Sequence, residues 1–216
     1  MAYTTNLSTG TPATFDGMMT SGFGIVTVMN VDIYDALDDY STMTAYDVYN
    51  SVKGTDPICS LDTLKIANVT QEGPSKTITG GRYSNPLIKF GKSARLEMQD
   101  ALGNGKAISA LCGGITEFSE DKMTGLHFGE DFVGPKLIIG DSFFIDRKSG
   151  QQVKVKIVFY QFLPDSIFNL TQDAEGDATV FDMNGDLLTT EIKVGELDSH
   201  GIFYSILDAA EVEKGE

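Results

Sequence analysis

A chain of 216 residues with 41% hydrophobic content can bury one sizeable core. Its 31 acidic residues outweigh 16 basic ones, for a formal charge of −15, which argues against a surface that grips nucleic acid, since Lys and Arg drive phosphate binding. Two cysteines, Cys59 and Cys112, exclude a disulfide framework, and no apolar stretch reaches the ~18 residues of a membrane span, so no membrane insertion is expected.

The first ten residues, MAYTTNLSTG, have neither a basic nor an apolar run, so no secretory signal is read there and synthesis in a cytoplasm is expected. The sequons at Asn6, Asn68 and Asn169 are then chance matches. Residues 1–21 are rich in Thr, Ser and Gly without a period, the composition of an arm that orders only against a partner or stays disordered. Residues 22–207 read as one β-rich domain, because 13 Phe, 8 Tyr, 23 Gly and no Trp favour short strands and tight turns.

Residues 22–34 predict a first strand. Residues 35–60 read as a long excursion, although Ala45, Tyr49 and Val52 have helical spacing. Tyr40, Tyr46 and Tyr49 are amphipathic anchors of the kind enriched at interfaces, which makes them candidates for contact with a neighbouring subunit; the alternative is packing on their own domain. Removing residues 38–54 is expected to stop assembly and leave the core folded. A short strand follows over residues 61–69.

The clearest pattern spans residues 88–99, after a turn at Gly80-Gly81. Ile88, Phe90, Ala94, Leu96 and Met98 share one face, while Lys89, Ser93, Arg95, Glu97 and Gln99 share the other. Lys92 beside Gly91 breaks the alternation and marks a bulge. Such a strand lies half on a core and half on water. A helix is predicted over residues 105–112, with Asn104 as N-cap, Gly113 at C′, and an apolar stripe of Ala107, Ile108 and Leu111. At about two turns it must dock on the sheet to be stable.

From Ile115 onward the pattern is β. Residues 136–146 are apolar on both faces and predict a buried strand; Arg147 to Gly150 turn the chain into a partner over 152–162, with Lys154 and Lys156 facing out. Residues 178–182 and 186–194 flank Asn184-Gly185, a strong hairpin signal. In the second of these, Thr189, Glu191 and Lys193 oppose Leu188, Ile192 and Val194. Residues 202–207 predict a last strand, and 208–216 form an acidic tail.

Recognised chemistry is sparse. Gly91-Lys92-Ser93 resembles the end of a phosphate-binding loop, but position 86 is Pro where that motif needs Gly. Asp182-Met183-Asn184-Gly185-Asp186 starts like a calcium loop, yet Leu187 and Lys193 stand where Gly and Glu are required. His127 and His200 lie in no nucleophile or metal motif, and Asp173, Glu175 and Asp177 read as a polar turn. No catalytic, cofactor or metal residues are assigned, and no enzyme is expected.

One resemblance adds to this reading. Thr79-Gly80-Gly81-Arg82-Tyr83, Leu87 to Gly91, Leu96 to Gly103 and Phe168 to Asp177 carry it, in the order strand, turn, helix, hairpins. Across residues 76–194 the chain resembles the major tail (tail tube) proteins of long-tailed bacteriophages infecting Gram-positive bacteria. The resemblance implies a mainly β fold: a tail-tube-type β-sandwich or barrel with one short flanking α-helix, a long extended loop and an arm. It implies a virion tail protein made in the host cytoplasm, whose hexameric rings share an inner β-barrel and stack head to tail. Implied partners are the tape measure protein, the tail tip and tail terminator proteins, and DNA that passes without sticking. Lys89, Ser93, Arg95, Glu97, Gln99, Thr189 and Glu191 are then candidates for the polar inner-barrel face, and Tyr40, Tyr46 and Tyr49 for contact between rings. The alternatives are a receptor- or glycan-binding β-sandwich of a virion, and the tube of a contractile injection system.

Overall fold

The computed structural model describes residues 23–25, 30–62, 64–73, 75–77, 87–89, 91–100, 105–119, 122–130, 132–146, 152–166, 181–194 and 199–209. In chain order the strands are β1 (Phe23–Ile25), β2 (Asn30–Asp35), β3 (Cys59–Leu61), β4 (Leu64–Glu72), β5 (Ser75–Thr77), β6 (Leu87–Lys89) and β7 (Ser93–Asp100). They continue with β8 (Gly114–Ser119), β9 (Lys122–Phe128), β10 (Lys136–Asp146), β11 (Gln152–Pro164), β12 (Phe181–Leu187), β13 (Thr190–Lys193), β14 (Ser199–Ile202) and β15 (Tyr204–Asp208). Helix α1 is Ala45–Val52 and α2 is Gly105–Cys112. The fold is mainly β, and its ladders are antiparallel.

The β10–β11 hairpin is the spine. The expected buried strand is there, and Leu137, Ile138, Val158, Phe159, Tyr160 and Phe162 are each no more than 1% exposed. Alternation sends Ile138, Ile157 and Phe159 to one cluster, shared with β2, β3, β7, β12 and α2. It sends Leu137, Ile139, Val158 and Tyr160 to a second, shared with α1, β13 and β15. The register between Lys136↔Phe162 and Ile138↔Phe159 slips by one residue, so β11 bulges at Tyr160-Gln161. That slip returns Phe162 to the same side as Phe159. Fully burying each such aromatic contributes roughly 1.5–3 kcal/mol.

Nine strands form the main sheet, ordered β3-β2-β10-β11-β12-β7-β4, with β1 also on β10 and β15 also on β11. Among the described residues it stays open, ending at β3 and β4. β5–β6, β8–β9 and β13–β14 are separate two-stranded sheets.

Several expectations are corrected. Residues 35–60 are a core element rather than an excursion: α1 starts with a capping box, in which Asp47 N–H donates to Thr44 Oγ1 (3.2 Å) and Thr44 N–H donates to Asp47 Oδ2 (2.8 Å). The Thr44 N–H bond, together with one from the Thr44 hydroxyl to the same Oδ2 (2.8 Å), holds the Asp47 carboxyl below its ordinary pKa. Val48 and Val52, one turn apart, enter the second cluster. Removing residues 38–54 therefore strips that core instead of sparing it, and the expected single helix becomes two. The 88–99 strand is two strands, β6 and β7, that break at Gly91-Lys92 and join different sheets. The 22–34 strand likewise divides into β1 and β2, which cover different halves of β10. The acidic tail starts later than expected, since Asp208 and Ala209 are buried. The arm at 1–21, the turns at 80–81 and 147–150, the N-cap Asn104 and the carboxylates at 173, 175 and 177 lie outside the described residues. Helix α2 has its predicted bounds, and Gly113 ends it at φ 75°, a left-handed angle that favours glycine.

Asn184-Gly185 is not a hairpin tip but the middle of β12, where Gly185 pairs with Leu96 on one side and Pro164 on the other. A Cβ on Gly185 would lie 2.3 Å from the Leu163 carbonyl oxygen and 2.6 Å from the Phe162 ring. Tertiary packing demands the glycine that local rules assign to a turn.

Two predictions follow from this packing. Gly185→Ala should destabilise by at least the ~1–3 kcal/mol of overpacking, since backbone must move. Gly91→Ala, whose Cβ would meet nothing within 4 Å, should change little. Urea midpoints measure both, and equal midpoints would refute the close approach. The second prediction concerns the Tyr160 phenol, which burial pushes from 10.0 up to about 12 while its hydrogen bond to Ser205 Oγ (2.6 Å) works the other way. The unfolded phenol loses its proton first, so its contribution is full below about pH 10 and is lost as pH rises towards 12. Tyr160→Phe should flatten the fall in stability across that window, read by circular dichroism alongside tyrosinate absorbance.

Candidate functional site

β7 shows alternation without interruption. Ala94, Leu96 and Met98 are at most 3% exposed and enter the first cluster. Ser93 and Glu97 are exposed, and Arg95 and Gln99 are half-buried, on the opposite face. β4 and β12 flank β7 and extend this wet face. Asn68, Glu97 and Asn184 stand side by side across the three strands, as do Thr70, Arg95 and Asp186. Gln99 donates a hydrogen bond to Asp182 Oδ1 (2.8 Å).

Arg95 is enclosed by acids. Arg95 Nη1 lies 3.0 Å from Asp186 Oδ1 and 3.3 Å from Asp165 Oδ1, while Nη2 donates to Asp165 Oδ2. The hydrogen bond to Asp165 is the main cause of the rise in the guanidinium's pKa. Asp165 reaches this position from the turn after β11. Its N–H donates to Asn184 O (2.9 Å), and the next residue, Ser166, takes the left-handed φ of 55°. The Ser166 hydroxyl accepts from Val133 N–H (3.2 Å), which fastens the turn to the loop before β10. With Glu72, Glu97 and Asp182 also exposed, the face is acidic rather than mixed.

The structure divides the predicted polar set. Ser93, Arg95, Glu97 and Gln99 share the β7 face. Lys89 sits on β6, in the sheet with β5. Thr189 lies in the break between β12 and β13, and Glu191 is exposed on β13 opposite Gly201. The expected 186–194 strand breaks at Leu188-Thr189 and resumes as β13, with Thr190 and Ile192 buried and Leu188 and Val194 exposed. Tyr40 is 3% exposed; its hydroxyl accepts from Leu37 N–H (2.9 Å) and donates to Tyr160 O (2.7 Å). It therefore serves its own core and is not available to a neighbour. Tyr49 is half-buried 5.9 Å from Lys156 Nζ, and Tyr46 is 39% exposed. Asp165 was missed because it is 70 residues from Arg95 and sits in no motif.

The remaining features offer little chemistry. Burial pushes the Cys59 thiol up to about 11 and raises that of Cys112, which suppresses the reactive thiolate. His127 is exposed, with Nε2 3.3 Å from Glu117 Oε2, and His200 is exposed on β14. Among the described residues no group of three or more His, Cys, Asp or Glu is arranged to hold a metal. A cleft of about 140 Å³ beside Asp165, Asp182 and Asn184 is small against the ~300–1,000 Å³ of a ligand pocket. A wider depression of about 420 Å³ lies between α2 and β2, where the Lys136–Asp35 ion pair (2.6 Å) faces it. No helix among the described residues is long and apolar enough to cross a membrane.

No protein-family model matches this chain, and no curated protein matches it.

The side chains of the Arg95 bridge remain 38% (Arg95), 32% (Asp165) and 64% (Asp186) exposed, so water screens it and its worth to stability is small. Arg95→Gln should shift unfolding free energy by less than about 1 kcal/mol, whereas Leu96→Ala beside it should lose about 2–5 kcal/mol. Urea denaturation compares the two, and an equal loss would make the bridge part of the core.

Proposed function

We propose that this chain is a structural subunit of a tube: six copies form a ring, and rings stack into the tail tube of a long-tailed phage. In this reading the β4–β7–β12 face lines the lumen. The observation that carries it is an acidic, wet sheet face that ends on β4, a nine-residue strand paired on one side only among the described residues. An open edge of that length invites pairing with another chain, and closing a ring of such sheets removes it. The half-sheet would then become part of a tail-tube-type barrel made by six chains together.

Charge supports the same reading. DNA carries one negative charge per ~1.7 Å and is gripped through cations. On this face the cation Arg95 is held by Asp165 and Asp186, so the wall offers DNA no free guanidinium. The tape measure protein would fill the lumen before DNA, and the tail tip and terminator proteins would cap the two ends. The chain's place is then the virion tail.

Negative-stain electron microscopy of the concentrated protein tests this. Hollow tubes or six-fold rings are expected. A protein that stays monomeric, even with tail-tip complexes present, would defeat the proposal and favour a binding module. A second measurement probes the wall. Glu72→Lys with Glu97→Lys should leave tubes intact but make them bind DNA at about 50 mM salt and release it near 200 mM. Wild-type and variant tubes that ignore DNA equally in co-sedimentation would remove this face from the lumen.

A further inference from the structure

Asn-Gly is the dipeptide most prone to spontaneous loss of a side-chain amide, because glycine has no Cβ to hinder the attack and leaves the backbone free to turn. The chain has two such pairs, Asn104-Gly105 and Asn184-Gly185. At the second, the Gly185 nitrogen would attack Asn184 Cγ. A new N–C bond forms, and the side-chain nitrogen leaves as ammonia, taking the glycine proton. Water then opens the succinimide ring. Opening at the side-chain carbonyl gives aspartate. Opening at the main-chain carbonyl gives isoaspartate, whose main chain runs through Cγ and is one methylene longer.

The fold holds this pair where the ring cannot close. Asn184 O accepts from Asp165 N–H (2.9 Å), at the β11 end of the sheet. The C=O and N–H of a trans peptide point opposite ways, so the Gly185 N–H is turned to β7, where Gly185 pairs with Leu96. The attacking nitrogen therefore belongs to a peptide plane fixed on both sides of β12. Ring closure also requires Asn184 to leave the extended ψ of a strand. That rotation would carry Gly185 against β11, where even a Cβ would lie 2.3 Å from Leu163 O.

We infer that Asn184 is a self-modification site kept closed by the folded sheet: it converts to isoaspartate only in chains whose β12 has left β7 and β11, and a converted chain does not regain the fold. The extra methylene shifts Gly185 against its partners Leu96 and Pro164, in a place with no room for a side chain. The carbonyl that accepts from Asp165 N–H becomes a pendant carboxylate, so that strand contact is lost too. Aspartate at 184, by contrast, keeps the main chain and adds only a charge opposite Glu97. Time spent unfolded is thus recorded covalently at one residue. The chemistry consumes only water and is independent of the tube reading.

The test incubates full-length protein in mildly alkaline buffer, native in one arm and unfolded by urea in the other. Peptide mapping by mass spectrometry that separates isoaspartate from aspartate reads positions 184 and 104. In urea both Asn-Gly pairs should convert at comparable rates. In the native arm, conversion at 184 should be at least about a hundredfold slower than in urea, because it waits on the opening of β12. Equal rates in the two arms, or an Asn184 that stays intact in urea, overturn the inference. Urea is then removed, and compact, protease-resistant chains are separated from the rest. Isoaspartate at 184 should be depleted at least about tenfold in the compact chains; its presence there in the same proportion as in the whole sample overturns the claim that conversion bars refolding. Asn184→Asp, with the charge on an unaltered main chain, should refold with the wild-type circular dichroism. Its failure to refold would overturn the argument from main-chain length.

Discussion

Everything in this molecule is arranged around one constraint: β10 and β11 are apolar on both faces and must be covered twice. A sheet face without a cover would leave Ile138, Ile157 and Phe159 on one side, or Leu137, Val158 and Tyr160 on the other, in water. Two layers satisfy this requirement. α2 with the apolar sides of β7 and β12 closes one, and α1 with β13 and β15 closes the other. Each helix is eight residues long, too short to persist alone, so each exists because the spine needs a lid. The Tyr40 and Tyr160 hydroxyls, buried by the same packing, find the Tyr160 carbonyl and Ser205 as partners. That is the usual condition for placing a polar atom in such a layer.

The spine also sets where the wet face begins. The bulge at Tyr160-Gln161 turns Phe162 back towards the first cluster, and β11 then hands over its last residues to β12. Beyond that point the sheet has a core on one side only. The crossing is tight enough that Gly185 must lack a side chain. β7 and β4 continue the half-covered sheet outward, and among the described residues no element of the two covering layers packs on their outer face, which collects the polar residues. The acidic row around Arg95 is thus a consequence of the sheet outrunning its covering layers.

Much of the local pattern was readable in the amino-acid sequence, because it depends on neighbours close along the chain. The β10–β11 hairpin, the bounds of α2, the glycine that ends it and the alternation of β7 all followed from period and turn chemistry. What was not readable depends on distant partners. Asn184-Gly185 carries the letters of a tight turn, but its environment is Leu163, Phe162 and Leu96, residues supplied by other strands. Thr44 and Asp47 spell a capping box, yet the two buried valines that make α1 worth forming face a cluster built from β10, β11, β13 and β15. Tyr40 looks like an interface anchor until its hydroxyl is seen to reach a carbonyl 120 residues away. The polar site shows the same division. Its β7 members share a strand and were grouped correctly, whereas Asp165 arrives from a turn and Lys89 leaves with another sheet.

In the proposed tube, charge and contact are in conflict. At −15 per chain, copies repel one another beyond contact range, and at physiological salt that repulsion is screened over ~8 Å. Association must then come from short-range terms: backbone pairing along an open edge, and burial of apolar surface. The structure holds both, on different elements. β4, paired on one side only among the described residues, lies at the rim of the acidic face and suits the proposed lateral closure, while β8–β9 carries exposed apolar side chains away from it. Keeping the two apart lets the proposed lumen wall stay free of sticky groups, since neither kind of contact requires cations or aromatics on the β4–β7–β12 face. In the proposed tube, copies would join along such edges, and the inner surface would be left with little for DNA to hold.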